Sequence, residues 1–242
     1  MGRTANTVKA KYMQILISTI IRDRVHYLPL WLEQLNKLVE LNPQHNFSIS
    51  VYENDSMDGS TRFLETADFS KFKEAIITSE ILGTRKFGSV KIAERMVNLA
   101  NARNKTLDQI DLTKFDKIIS IEPDIQYEPS EVSKLLDTDW DCITGRSTLP
   151  GIYVYDSYGT RTTDQDNGTN NFPNIKGIAP VYASYNCFAV YNSKAFQDGA
   201  RFTGINLNHQ PDCDTFCVIQ HMRGLGYTKH AINCDIEIKH LQ

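Results

Sequence analysis

MQILISTIIRDRVHYLPLWLEQLNKLVELNPQHNFSISVYE, residues 13–53, decides the fold class. Its first segment, Met13–Ile20, is a continuous apolar run rich in β-branched residues, the pattern of a strand buried on both faces of a parallel sheet. His26–Leu41 follows, with Leu28, Trp31, Leu32, Leu35, Leu38 and Val39 at helical spacing. Asn46–Glu53 alternates and reads as a second strand. Strand, helix and strand in so short a span predict a parallel crossover unit, whose ligands gather at the carboxyl ends of the strands.

The same order continues outward. A polar turn at Asn54–Gly59 leads into a helix start at Ser60–Thr66, and Ala75–Ile81 reads as a third strand. Lys91–Gln109 is helical through Ile92, Met96, Leu99 and Leu107. Lys117–Ile121 is a fourth strand ending at Glu122-Pro123-Asp124, and Pro129–Leu136 a short helix. Residues 146–180 are rich in Gly, Asn, Asp, Thr and Pro, and so long a loop is either functional or disordered. Beyond it come a strand-like segment (Val181–Tyr191), a helix (Asp212–Gly224) and a last strand (Tyr227–Ile238). The expectation is one α/β domain over residues 1–242 with a mixed, mostly parallel central sheet. Its nucleotide-binding half would run over about 13–145 and its acceptor-side half over about 146–242.

Composition narrows the classes. The chain has 242 residues, 41% of them hydrophobic and 23% charged, which suits a packed core and excludes disorder, collagen or a coiled coil as the main state. Net charge is −3, so no basic nucleic-acid footprint exists and an anionic ligand must be held by local groups. The apolar run Ile15–Ile21 is too short for a bilayer, which takes about 20 residues, and no signal-peptide cleavage site follows it. Cys142, Cys187, Cys213, Cys217 and Cys234 contain no C-x-x-C pair and do not read as a disulfide framework or a zinc ribbon. Sequons at Asn46, Asn54, Asn104 and Asn167 would go unused in the cytoplasmic chain that these features suggest.

Acids gather where strands end: Glu53 with Asp55 and Asp58, Glu122 with Asp124, and Asp212 with Asp214. Carboxylates at one sheet edge repel unless a cation lies between them, and Mg²⁺ or Mn²⁺ shared with phosphates is the usual answer. Glu122 and Asp124 stand two apart in an extended segment, which puts both on one side. Alone, E-P-D reads equally well as a surface turn.

Several segments resemble a known family. Residues 15–65 are similar to the opening of glycosyltransferases with the GT-A (Rossmann-like) nucleotide-sugar fold. More narrowly, VYENDSMDGST, ERMVNLANARNKTL, FDKIISIEPDI, VYDSYGTR, YASYNCFAVYNSKAF and PDCDTFC resemble the fungal capsular α-1,3-mannosyltransferases of glycosyltransferase family 69. That likeness implies a retaining, metal-dependent hexosyltransferase of polysaccharide biosynthesis. Its donor would be a GDP- or UDP-sugar, GDP-mannose by resemblance, its acceptor a glycan hydroxyl and its cofactor Mn²⁺ or Mg²⁺.

The resemblance also implies roles. Glu53 matches an acid that holds the base or ribose, with Asp55, Ser56 and Asp58 shaping the turn; Asp58-Gly59-Ser60 is also a plain turn and helix cap. Arg103, in an R-N pair, would neutralise the diphosphate with help from Arg95, or simply lie solvated on its helix. Asp124 is the first choice for metal ligand. Glu122 departs from the family's commoner N-D pair and would take ribose, metal or water. His240 is a third metal ligand by analogy with other GT-A enzymes, or a terminal surface histidine. Asp156 would accept from sugar hydroxyls, and Arg161 would cover phosphate when its loop closes. That loop, from Arg146 to Pro180, is expected to be mobile until donor and metal bind. Asp212, where the family has Glu, would lie beside the anomeric carbon or acceptor hydroxyl, or only favour a helix N-terminus. Cys213 and Cys217 read as packed thiols, and Phe188, Tyr191 and Phe216 as core.

With no confidently placed nucleophile, retention is expected by attack from the leaving group's own face. Two other classes compete: a nucleotide-sugar-binding module without catalysis, and a sugar nucleotidyltransferase. The latter calls for a glycine-rich, basic phosphate loop after the first strand, where this chain has IIRDRVHYLP.

Overall fold

The computed structural model describes residues 12–88, 90–164, 172 and 174–241. The first half runs β1 (Gln14–Ile21), α1 (Leu28–Leu41), β2 (Asn46–Asn54), α2 (Ser60–Thr66), β3 (Ala75–Glu80), α3 (Ala93–Asp108), β4 (Lys117–Ile121), β5 (Ile125–Tyr127) and α4 (Pro129–Val132). The second adds β6 (Cys142–Thr148), β7 (Ile178–Pro180), β8 (Phe188–Asn192), α5 (Ser193–Gln197), α6 (Asp214–Gly224) and β9 (His230–His240).

One nine-stranded sheet has the order β3-β2-β1-β4-β8-β6-β9-β5, with β7 also on β9. β1 lies between β2 and β4, parallel to both, which is why its sequence is apolar without alternation. α1 covers one face with Leu28, Trp31, Leu35 and Leu38, and α3 covers the other with Ala100 and Leu107. Beyond β4 the pairings turn antiparallel, apart from β6 with β9. Four strands of the first half thus adjoin those of the second in one sheet, and β5 returns to its far edge against β9.

Three local differences from the sequence reading matter for the site. Val181–Tyr191 is not one strand: Asn186 and Cys187 adopt φ of 52° and 61°, which breaks the extended chain before β8. Those left-handed residues turn the polar Tyr185-Asn186 pair inward. β6 was not expected, because C-I-T-G-R-S-T has neither alternation nor an apolar run. Its register shifts at Gly145, where a Cβ would sit 2.8 Å from Ile238 Cγ1 and 3.0 Å from the Ile236 carbonyl oxygen. β5, also unexpected, pairs with β9 so that Ile125 faces His240. No helix among the described residues is long and apolar enough to cross a membrane.

Candidate active site

The carboxyl ends of β1, β2 and β4 open onto a cleft of about 520 Å³, walled opposite by residues 82–87 and by α3. Arg22, Arg24, Arg85, Lys86, Arg95 and Lys105 line it against only two acids, Asp108 and Glu122. Four of these cations are paired with acids outside the lining, Arg22 with Asp55, Arg24 with Asp124, Lys86 with Asp23 and Lys105 with Glu80. The uncompensated positive charge at this ligand edge of the sheet therefore rests on the others. Among the described residues, Arg85 and Arg95 have no acidic partner.

The turn after β2 is built by its own acids. Glu53 is 2% exposed and does not line the cleft. Its carboxylate accepts from the Ser56 N–H at 2.8 Å and the Thr61 hydroxyl at 3.0 Å. Its carboxylate is thus engaged within the turn and is not presented to the cleft, where a base or ribose contact was expected of it. Asp55, at φ 57°, accepts from the N–H groups of Leu82, Gly83 and Thr84 and from the Thr84 hydroxyl. The Thr84 hydroxyl bond contributes most to holding its carboxyl far below the usual range. Asp58 accepts from Ser60 and from the Val25 N–H, so both expected turn acids fasten loops to one another. Asp23 joins them, accepting from Met57 N–H and Lys86.

Arg103 does not face the cleft, which corrects the diphosphate role expected of it. Its buried guanidinium donates to Asp214 at 2.7 Å, Tyr185 Oη at 2.8 Å and Glu122 Oε1 at 2.5 Å. It also lies over the Tyr185 ring, 4.6 Å from the centroid. Burial raises the Glu122 carboxyl, but Arg103, Tyr185 and Arg24 together bring it below its usual range, so Glu122 stays ionised at the cleft wall. Arg95, eight positions earlier on α3, does line the cleft.

Asp124 and His240 come together across β5 and β9. Asp124 Oδ2 lies 3.7 Å from His240 Nε2 and accepts from Arg24 Nε at 2.9 Å. The histidine ring packs on Tyr155 with centroids 4.2 Å apart, and its Nδ1 is enclosed without a partner. The surface-histidine alternative therefore fails. Burial and the charge of Glu122 both raise the Asp124 carboxyl. Glu122 is occupied by Arg103 and Tyr185, and no group of three His, Cys, Asp or Glu side chains gathers among the described residues. Of the three ligands expected from sequence, Asp124 and His240 are adjacent while Glu122 is engaged elsewhere. A carboxylate and an imidazole this close would suit one Mn²⁺ or Mg²⁺ as a partial donor set, with the remaining positions left to oxygen ligands.

Asp156 lies beside the positive-φ residues: its Oδ2 accepts from the Asn186 N–H at 2.9 Å and its Oδ1 from the Gly159 N–H at 3.4 Å. Burial, then the charges of Asp214 and Glu122, push its carboxyl up to about 7 against those two bonds. Arg161 and Asp212 are spent on each other. Arg161 is 4% exposed, donates to both carboxylate oxygens of Asp212 and stacks 3.4 Å over the Phe216 ring. Its backbone is also bridged to Ala183. Neither the phosphate-covering role of Arg161 nor the catalytic role of Asp212 matches this geometry, since each side chain would first have to desert a buried partner. Within 146–180, the first residues lie in β6 and the last in β7. Residues 165–171 and 173 of the expected mobile loop lie outside the described residues.

Sequence reasoning missed Arg22, Arg24, Arg85 and Tyr185, and it placed Asp214 only among the acids near strand ends, without its arginine partner. Arg22-Asp23-Arg24 follows the first apolar strand directly, and charges placed there face the ligand edge of the sheet. Tyr185-Asn186 carried a signal too, as polar residues interrupting an apolar segment.

Comparison with known proteins agrees with this architecture. A family model described as cryptococcal mannosyltransferase 1 matches residues 14–218. The mannosyltransferase PcManGT of Pyrobaculum calidifontis, solved with GDP-Man and Mn²⁺, superposes with a TM-score of 0.56 at 12% identity, over 95% of this chain and 57% of that one. S. aureus TarS 1–349 with UDP-GlcNAc gives 0.58 at 12% identity, over 95% and 59%. The inositol-1-phosphate CTP transferase of T. maritima gives 0.50 at 9% identity, over 94% and 88%. The fold is the GT-A fold. This chain spans 57% to 59% of the length of the first two structures. No curated protein matches its sequence.

Proposed function

We propose a donor and a chemistry for this chain, which belongs to the cryptococcal mannosyltransferase 1 family: it moves mannose from GDP-mannose to a hydroxyl of a glycan, with retention and with Mn²⁺ or Mg²⁺ at Asp124 and His240. The observation that carries this reading is the cleft itself, six cationic side chains against two acids at the carboxyl edge of a parallel sheet. Such a pocket suits a diphosphate, and Leu82, Phe87 and Leu99 add apolar wall for the nucleoside.

Breaking the bond between sugar and diphosphate leaves negative charge on phosphate as positive charge grows on the ring. Arg95 and Arg85, without acidic partners, stabilise the departing diphosphate electrostatically. A divalent ion held by Asp124 and His240 supplies further charge neutralisation there. The Arg103 hub keeps Glu122 ionised at the cleft wall. Asp156, whose carboxyl burial pushes up to about 7, is able to hold or yield a proton near neutral pH. Asp212 is engaged by Arg161 and Asn206, so no free carboxylate there serves as nucleophile, and attack from the leaving group's face is the route we favour.

A thermal-shift screen of GDP, UDP and their sugars, with and without Mn²⁺, tests the donor, because ligands of the native state raise stability. GDP and GDP-mannose should give the largest shifts, and GDP-mannose with Mn²⁺ should yield mannosylated glycan. Stabilisation by GDP-mannose without any transfer or donor hydrolysis would favour the binding-module reading instead. Incorporation of sugar 1-phosphate into a nucleotide sugar would favour the nucleotidyltransferase.

A further inference from the structure

We propose that Arg24 is the displaceable counter-ion of the metal site, so that metal entry and nucleotide binding each release what the other needs. This rests on the reading of the cleft as a nucleoside-diphosphate site. Arg24 Nε donates to Asp124 Oδ2 at 2.9 Å, and His240 Nε2 stands 3.7 Å from that same oxygen. A metal ion shared by Asp124 and His240 therefore takes the oxygen that Arg24 holds, and two cations on one buried carboxylate repel each other.

Arg24 has somewhere to go. Its side chain is 38% exposed, in contrast to 9% for Asp124, and it lines the cleft beside Arg22 and Arg95. Once displaced, its guanidinium can donate to a phosphate oxygen with no movement of the backbone, which is pinned separately by the Arg24 N–H to Ser60 Oγ at 2.9 Å. Without nucleotide, Arg24 neutralises Asp124 and weakens metal binding. With a diphosphate in the cleft, Arg24 turns to phosphate and Asp124 is left for the metal. The two ligands then bind cooperatively beyond any direct bond between them, and by linkage the gain is equal in both directions.

The test measures Mn²⁺ binding directly, by the loss of the free-ion electron paramagnetic resonance signal, with and without saturating GDP. Arg24→Gln should bind Mn²⁺ about fivefold more tightly than wild type when no nucleotide is present. The enhancement of Mn²⁺ affinity by GDP should fall by about threefold in the same variant. Arg62→Gln, on the exposed face of α2, should change neither quantity. Unchanged or weaker Mn²⁺ binding by Arg24→Gln, with wild type binding both ligands, overturns this inference and leaves the proposed function standing. A wild-type protein that binds neither Mn²⁺ nor GDP overturns both. Should Arg24→Gln melt early, Arg24→Lys, which keeps a displaceable charge beside Asp124, must retain the GDP enhancement of Mn²⁺ affinity, and its loss there overturns the inference.

Discussion

Replacing Arg103 by methionine separates a phosphate ligand from a buried positioning residue. The guanidinium is 5% exposed and Asp214 4%, at 2.7 Å, so the change strands a carboxylate in the interior. Breaking such a pair from one side costs about 3–5 kcal/mol, a large share of the roughly 5–15 kcal/mol that holds a typical domain together. Urea unfolding at pH 7 should show that loss, and Asp214→Asn in the Arg103→Met background should recover at least about 1 kcal/mol of it, as coupled neighbours do. The pH dependence has a defined sign. In the wild type, burial raises the Glu122 carboxyl, while Arg103, with Tyr185 and Arg24, brings it to a net value below its usual 4.5. The stability this contributes is present above about pH 4.5 and is lost as pH falls through the folded value. The variant lacks it, so the gap between the two proteins should narrow from pH 7 to pH 4. A variant that stays within 1 kcal/mol of wild type while losing GDP affinity as Arg95→Met does would refute the buried-hub assignment.

The other expectations can be checked alongside. Arg95→Met should weaken GDP binding by about tenfold, equivalent to about 1.4 kcal/mol, at unchanged melting temperature, and calorimetry at two salt concentrations should show the loss shrinking at high salt. Asp156, whose carboxyl titrates near 7, is more protonated in the folded than in the unfolded chain between about pH 4 and 7, so it makes stability fall as pH rises through that range. Asp156→Asn should flatten that slope in pH-dependent melting and remove a limb near pH 7 from the transfer profile. Gly159→Ala would place a Cβ 2.8 Å from Asp156 Oδ2 and 2.9 Å from Thr215 Oγ1. It should cost about 1–3 kcal/mol by overpacking in urea unfolding and depress transfer with it. Chelation should abolish sugar transfer, with Mn²⁺ restoring it in the wild type and not in Asp124→Asn.

The parallel half of the sheet was legible in the sequence because its physical causes are local. A strand buried on both faces must be apolar throughout, as Met13–Ile20 is, and a helix covering it must repeat at its own period, as Leu28 to Leu38 do. Observed boundaries follow, with β1 at Gln14–Ile21 and α1 at Leu28–Leu41. Acids at strand ends were legible for the same reason. What each acid does was not, because a carboxylate's role depends on which cation reaches it first. Arg103 and Glu122 are 19 positions apart, but Asp214 is 111 from Arg103, and no spacing rule announces their meeting. Asp124 and His240 become neighbours only through the pairing of β5 with β9, a three-residue strand too short to carry a pattern. Arg161 and Asp212 looked free in sequence because both are polar and sit beside turns. Folding buries them against each other, since a lone charge in the interior is more costly than a paired one. The local pattern thus determined where a ligand edge lies, and the long-range pairing of charges decided which residues are left free to use it.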